Sequence, residues 1–133
     1  MSAILQATGL RKVYQGGDGL PIDVLSGVDL AVSRGEFVAI VGSSGSGKST
    51  LLHLLGALDT PSAGTVQLDG REYGDLDPDA LAMVRNRKIG FVFQFHHLLR
   101  EFTALENVML PVLLNGTSVA DAAGRARALL EAV

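Results

Sequence analysis

Apolar and polar side chains alternate along much of the first third of the chain, a period that is typical of β-strands with one buried face. The alternation is clearest within Val24–Val32, and Ile4–Leu10 and Lys12–Tyr14 predict two further extended segments. Because these segments follow one another with only turns and one glycine-rich loop between them, we expect residues 1–36 to form an antiparallel, β-rich region.

Two continuous apolar runs, Phe37–Val41 and Ile89–Phe93, predict strands that are buried on both faces. The first run leads through a stretch of glycine and serine into the leucine-rich run Leu51–Leu55, which predicts a helix. A shorter strand with a turn is predicted over Thr65–Gly70. This order of elements indicates an α/β domain that begins with an antiparallel region.

Three further helix starts are marked by side chains that can accept hydrogen bonds from the first backbone N–H groups of a helix: Asp77, Thr103 and Ser118. The second of these helices is predicted to end at Pro111. The last one keeps helical spacing of its apolar residues up to Val133, and no glycine or proline ends it. We therefore expect the domain to continue beyond this sequence, which would make the chain a fragment of a longer protein.

The composition excludes several classes of function. The chain has 133 residues, 47% of them apolar, so it is expected to fold. A formal charge of −3 argues against a nucleic-acid partner, and the absence of cysteine excludes disulfides and thiolate metal sites. We expect neither a signal peptide nor a membrane-spanning helix, so that any membrane role would come through a partner.

A loop rich in glycine and serine joins the apolar run that ends at residue 41 to the predicted helix that follows. It contains the complete phosphate-binding pattern Gly-x-x-x-x-Gly-Lys-Ser, formed by Gly42, Ser43, Ser44, Gly45, Ser46, Gly47, Lys48, Ser49 and Thr50. The alternative is a flexible Gly/Ser linker, which is not expected between a buried strand and a leucine-rich helix. The sequence therefore predicts a site for a nucleoside triphosphate.

The chemistry of phosphate binding explains these residue types. Gly42, Gly45 and Gly47 are expected to take positive φ angles, so that backbone N–H groups can approach the phosphates without a Cβ in the way. Lys48 is predicted to bind the β and γ phosphates, and the Ser49 hydroxyl is predicted to bind Mg²⁺.

With this loop in this order of elements, the sequence resembles the ATP-binding subunits of ABC transporters. Tyr14, Gln94 and the segment Asp59–Gly64 match further landmarks of that family. Within the family, Gln94–Leu99 and Phe102–Val108 are most similar to the lipoprotein-releasing branch. The macrolide or peptide exporters and the cell-division branch remain as alternatives.

The resemblance implies an α/β fold, a P-loop NTPase of ABC type. Residues 1–133 would be the N-terminal part of one ATP-binding domain: an antiparallel β subdomain (1–36), part of a RecA-like core (about 37–94) and the start of a helical subdomain (about 95–133). It also implies that Tyr14 stacks on adenine and that Gln94 contacts Mg²⁺ together with Ser49. ATP and Mg²⁺ would be the cofactors.

By the same resemblance, the segment after Gln94 contacts transmembrane permease subunits, and a second copy of the ATP-binding subunit completes the motor. The protein would then lie on the cytoplasmic face of a bacterial inner membrane. His96 and His97 fall in this segment, where a loop facing a partner is a better interpretation than a metal site.

The sequence lacks three motifs that the family uses for hydrolysis: the Leu-Ser-Gly-Gly-Gln signature, an apolar strand ending in Asp-Glu, and the switch histidine. Lys48 and Gln94 are the catalytic-site residues that remain. We therefore expect the whole protein to be an ATPase and this chain to bind ATP without turnover.

A non-catalytic nucleotide-binding fragment is a second hypothesis. A GTPase would need Asn-Lys-x-Asp, which is absent, and a small-molecule kinase would need a lid with clustered arginines.

Overall fold

The computed structural model describes residues 3–133, which form two compact units. The first unit ends at Ile89, and the second runs from Gly90 to Val133. The finer division at residues 36 and 94 stays a prediction.

A four-stranded antiparallel sheet dominates the first unit. Its spatial order is β2-β1-β3-β4, and its strands are β1 (Ala3–Gln15), β2 (Pro21–Ser33), β3 (Ala63–Leu68) and β4 (Arg71–Glu72). The antiparallel prediction is confirmed, but the two extended segments predicted before residue 15 form one continuous strand. Its pairing shifts register between Ala7 and Leu10, because Gly9 takes a φ of 56° and adds an irregularity without ending the strand.

A close crossing of two glycines brings β3 against β1. Gly64 has a φ of 84°, and a Cβ added there would lie 2.4 Å from the carbonyl oxygen of Gly9. No other residue type fits this approach, because the obstructing atom belongs to the backbone and cannot move aside. The crossing therefore fixes where the segment between the first helix and β3 meets β1.

Four α-helices lie outside the sheet: α1 (Lys48–Leu55), α2 (Pro78–Lys88), α3 (Ala104–Leu113) and α4 (Val119–Glu131), with a 3₁₀ turn at Tyr73–Asp75. The predicted side-chain caps of α2, α3 and α4 are all present. The prediction that α3 ends at Pro111 is wrong. Pro111 lies in the last turn of the helix, where its missing N–H costs a single hydrogen bond. Gly116, with a φ of 82°, turns the chain instead. Within residues 3–133, none of these helices is long and apolar enough to cross a membrane.

Each unit has its own small core. In the first, α1 packs on the sheet through Leu51, Leu54 and Leu55, whose spacing places them on one face of the helix. They meet four buried residues of the strands: Ala7, Leu10, Leu25 and Val66. In the second unit, Met109 of α3 packs against Ala122 and Ala126 of α4. The first core fixes the helix that follows the phosphate-binding loop.

The predictions of buried strands over Phe37–Val41 and Ile89–Phe93 are wrong. Neither run is a strand, and the side chains of Phe37 and Val41 are 95% and 88% exposed. The physical reason is that a strand needs a neighbouring backbone to satisfy its N–H and C=O groups, and the sheet described here supplies none to these runs. Apolar character alone therefore does not produce a strand at these positions.

Tyr73 provides a test of the packing behind α1. Its hydroxyl donates to the carbonyl oxygen of Leu55 at 2.8 Å, and burial raises its pKa to about 12. Because the folded pKa lies above the unfolded value of 10.0, this contribution to stability is complete below pH 10 and is lost as the pH rises towards 12. In Tyr14→Phe, where Tyr73 is the sole tyrosine, we expect the ultraviolet absorbance titration to have its midpoint near the higher value. A midpoint near 10, with circular dichroism still reporting folded protein, would contradict the packing.

Candidate nucleotide-binding site

The phosphate-binding loop ends on a glycine that no other residue could replace without strain. Gly47 precedes α1 with a φ of 93°. A Cβ at this position would lie 2.9 Å from Cδ2 of Leu25 and 3.1 Å from the carbonyl oxygen of Val24. The loop is thus seated directly on β2, and its glycine permits both the turn and the close approach.

The three loop glycines serve different geometric purposes. Gly45 and Gly47 take the positive φ angles that the sequence predicts, with Gly45 at 78°. Gly42 does not, so that prediction is wrong for this residue. A Cβ on Gly42 would lie 2.7 Å from Oγ of Ser46, so glycine here makes room for the side chain across the loop.

The N-terminus of α1 differs from those of the other α-helices in residues 3–133. Asp77, Thr103 and Ser118 each accept a backbone N–H bond at the start of α2, α3 and α4. Gly47, at the same position of α1, has no side chain to do so. The first N–H groups of α1 and the positive end of its dipole therefore face the loop without a side-chain cap, an arrangement that favours an anion.

Lys48 places its ammonium group inside this loop. Nζ donates to the carbonyl oxygens of Gly42 and Ser43 at 2.8 Å and 2.7 Å, and to Oγ of Ser46 at 3.3 Å. An ammonium group has three N–H donors, so the loop can satisfy all of them. A phosphate oxygen at this place would accept hydrogen bonds from the Lys48 ammonium, and these would replace bonds that the ammonium now donates to the loop.

A cavity of about 510 Å³ lies at this helix N-terminus. Six of the predicted residues line it: Ser44, Gly45, Gly47, Lys48, Ser49 and Thr50. Gly42, Ser43 and Ser46 instead hold the Lys48 ammonium. Val24 also lines the cavity and was missed, because only the seating of the loop on β2 brings it there. The residues fit a triphosphate with Mg²⁺, since they offer N–H groups, an ammonium and the hydroxyls of Ser49 and Thr50.

Tyr14, predicted to stack on adenine, lies on β1 and is not among the residues that line this cavity. Its hydroxyl donates to Oδ2 of Asp59 at 2.9 Å, and Nζ of Lys12 lies 4.9 Å from the centre of its ring. The side chain remains partly exposed, and its role towards adenine stays a prediction.

Asp59 was predicted only as part of the segment Asp59–Gly64, with no role of its own, yet it links β1 to the end of α1. It accepts from Lys12 Nζ at 2.8 Å and from the Tyr14 hydroxyl, and it follows α1 in the chain. The hydrogen bond from Lys12 is the largest of the effects that lower the pKa of this carboxyl. No local sequence signal could have revealed the contact, because Lys12 and Asp59 are 47 positions apart.

Gln94 and the two histidines lie in the second unit, and their predicted roles towards Mg²⁺ and a partner stay predictions. Nδ1 of His96 accepts from the backbone N–H of Leu98 at 3.1 Å. The ring of His97 meets Phe93 edge-on at 4.6 Å. Among residues 3–133, no group of three or more His, Cys, Asp or Glu side chains is placed to hold a metal ion.

Comparison with protein families identifies the family of the chain. Residues 25–133, well over half of the sequence, match the family described as ABC transporter. The chain belongs to the ABC transporter family. The phosphate-binding loop described above lies within the matched residues, and the fold agrees with solved ABC structures. The dimeric structure of MJ0796, a bacterial ABC transporter cassette, matches with a TM-score of 0.87 and 42% identity over 96% of this chain and 56% of that one.

Curated ABC relatives are still more similar in sequence. The lipoprotein-releasing system ATP-binding protein LolD of Geobacter metallireducens is 54% identical over 98% of this chain and 57% of its own length. LolD of Xylella fastidiosa is 56% identical over 98% of this chain and 54% of its own length. A second dimeric structure of MJ0796, in a post-hydrolysis state bound to ADP and Pi, matches with 42% identity and a TM-score of 0.87. The chain thus spans about half the length of the curated relatives that it matches.

Proposed function

We propose that this ABC chain binds Mg-ATP at the N-terminus of α1. The observation that carries the proposal is the Lys48 ammonium, held within 2.8 Å of two loop carbonyl oxygens at a helix start that has no side-chain cap. A cation and unpaired N–H groups converging on one cavity are what a polyphosphate requires.

The side chains predicted to contact the nucleotide have distinct roles in this proposal. Lys48 would bind the β and γ phosphates, and the backbone N–H groups at the start of α1 would bind phosphate oxygens. Ser49 would hold Mg²⁺, with Gln94 as a second contact, and Tyr14 would stack on adenine. When bound, Mg²⁺ neutralises charge that bridges the phosphates.

For the whole protein we propose the ATP-hydrolysing subunit of a transporter that releases lipoproteins from the inner membrane. The names of the LolD relatives support this choice of branch. Two copies of the subunit would associate, as in the dimeric cassette, and would act beneath LolC- and LolE-like permeases on the cytoplasmic face. The permeases would be contacted by the segment after Gln94.

For the 133 residues themselves we propose binding without turnover. Hydrolysis needs a positioned water and stabilisation of the transferring phosphoryl group, in addition to a phosphate cradle. The sequence contains no Asp-Glu pair at the end of an apolar strand to supply the first of these.

Titration calorimetry tests the proposal on the chain as it stands. We expect saturable binding of Mg-ATP with one site per chain, and no phosphate release in a parallel hydrolysis assay. Strong preference for Mg-GTP would instead favour the GTPase hypothesis. A complete lack of heat change and of competition with a fluorescent ATP analogue would overturn the proposed function.

A further inference from the structure

Tyr14 is held in one orientation by two charged neighbours. Its hydroxyl donates to Oδ2 of Asp59 at 2.9 Å, while the other oxygen of that carboxylate accepts from Lys12 at 2.8 Å. The Lys12 ammonium in turn lies 4.9 Å from the centre of the Tyr14 ring, a distance at which a cation is attracted to an aromatic face. Three side chains therefore form a closed set of contacts, which we call the Tyr14 clamp (Lys12, Tyr14 and Asp59).

The clamp belongs to a wider attachment between β1 and the segment that follows α1. Lys12 also donates to the carbonyl oxygen of Thr60 at 2.6 Å. Ser62 accepts from the N–H of Val13 at 3.0 Å, and its own N–H donates to the carbonyl oxygen of Arg11 at 2.8 Å. Four consecutive residues of β1, Arg11 to Tyr14, are thus bonded to residues 59–62.

This attachment ties Tyr14 to the helix that carries the phosphate-binding loop. The loop precedes α1, and Asp59 follows it by four residues. An eight-residue helix is about 12 Å long, and the leucines of α1 are buried in the core, so the helix acts as a rigid spacer. Asp59 therefore sets the position of the Tyr14 ring relative to the cavity at the start of the helix.

The clamp also decides which side of the ring can receive a ligand. Lys12 covers one face, and the Tyr14 side chain is 39% exposed, so the accessible surface is on the remaining side. The Lys12 side chain is only 12% exposed and that of Asp59 is 33% exposed. Removing the carboxylate would leave a largely buried ammonium without its ion partner, and Lys12 would move away from the ring towards water.

We propose that Asp59 is a positioning residue that holds the Tyr14 ring for stacking against the base of a nucleotide. Through this role it contributes to preference for a nucleoside triphosphate over a bare triphosphate chain. The inference rests on the proposed function, since the phosphates must be bound at Lys48 for the base to reach the ring. Stacking of a base on an aromatic side chain is a substantial and geometry-dependent part of nucleotide affinity.

The test compares two ligands that share phosphates and differ in the base. Dissociation constants of Mg-ATP and Mg-tripolyphosphate are measured for the unaltered chain, Asp59→Ala, Tyr14→Phe and the double variant. We expect the preference for ATP to fall by about fivefold in each single variant, and by no more in the double variant, while the tripolyphosphate affinity is unchanged. Asp23→Ala is the matched control, because it removes an exposed ion pair between β2 and Arg11 of β1, the strand that carries Tyr14, and should change neither constant.

The outcomes separate this inference from the proposed function. An unchanged preference for ATP in Asp59→Ala would overturn the role of Asp59 and leave phosphate binding intact. An equal loss of affinity for both ligands would also overturn it, since that is the result of a purely structural residue. Tyr14→Phe keeps the ring and removes only the bond to Asp59. If Asp59→Ala does not fold, an unchanged preference for ATP in Tyr14→Phe would overturn the role of Asp59. Failure of the unaltered chain to bind either Mg-ATP or Mg-tripolyphosphate would overturn the proposed function as well.

Discussion

Lys48→Ala raises the dissociation constant for Mg-ATP by about 100-fold or more, and this is the largest expected effect of a single substitution on binding. The ammonium is placed among the carbonyl oxygens of Gly42 and Ser43, where a phosphate oxygen would take their place as acceptor. Hydrogen bonds between charged groups contribute about 1.5–3 kcal/mol each, so the loss of two accounts for the expected change. Titration calorimetry on the altered and unaltered chains measures it.

Lys88→Ala is the matched control for the loss of a positive charge. That side chain is exposed, its Nζ lies 3.4 Å from Oδ2 of Asp69, and it does not line the cavity at the loop. We expect its affinity for Mg-ATP to stay within about twofold, because exposed ion pairs contribute little. Unchanged affinity in Lys48→Ala itself would show that the nucleotide does not bind at this loop.

Leu54→Ala lowers the free energy of unfolding by about 2–5 kcal/mol, the usual cost of a cavity in a packed core. Leu54 is fully buried and is part of the cluster that attaches α1 to the sheet. Urea denaturation followed by circular dichroism measures the change. Since the loop is attached to the same helix, this variant should also bind Mg-ATP more weakly at urea concentrations that unfold part of the protein.

Leu52→Ala provides the comparison on the same helix. Its side chain is 51% exposed, so truncation removes little packing and should cost well under about 1 kcal/mol. A similar loss of stability in the two variants would mean that α1 does not pack on the sheet through the face that contains Leu54.

Features that depend on a few neighbouring residues could be predicted from the sequence. The predicted side-chain caps at Thr103 and Asp77 are confirmed, because each side chain accepts from a backbone N–H only three positions further along the chain. The phosphate-binding loop followed by a helix at residue 48 is of the same kind, since the glycines, Lys48 and the leucines form one continuous stretch.

Features that depend on distant pairing could not be predicted. Phe37–Val41 has the composition of a buried strand, but strand formation is decided by whether another backbone lies alongside it. Asp59 reaches Tyr14 only because β1 is bonded to the segment after α1, and Val24 reaches the loop only because β2 passes beneath Gly47. These contacts come from the assembled sheet, which no short stretch of sequence encodes.

Because residues 37–41 pair with no strand, the two ends of the phosphate-binding loop are supported differently. On one side the loop continues into α1, which is fixed by buried leucines, and on the other it continues into a run that pairs with no strand of the described sheet. Ile40 packs against the first core, so the run is held by side-chain contacts and not by backbone pairing. Phosphate binding would restrict the motion that this unpaired backbone retains, and that loss of entropy would be subtracted from the affinity that the phosphate contacts supply. If another strand paired with residues 37–41, their backbone would already be ordered before the phosphate binds. Sheet pairing would then raise nucleotide affinity without any contact to the nucleotide.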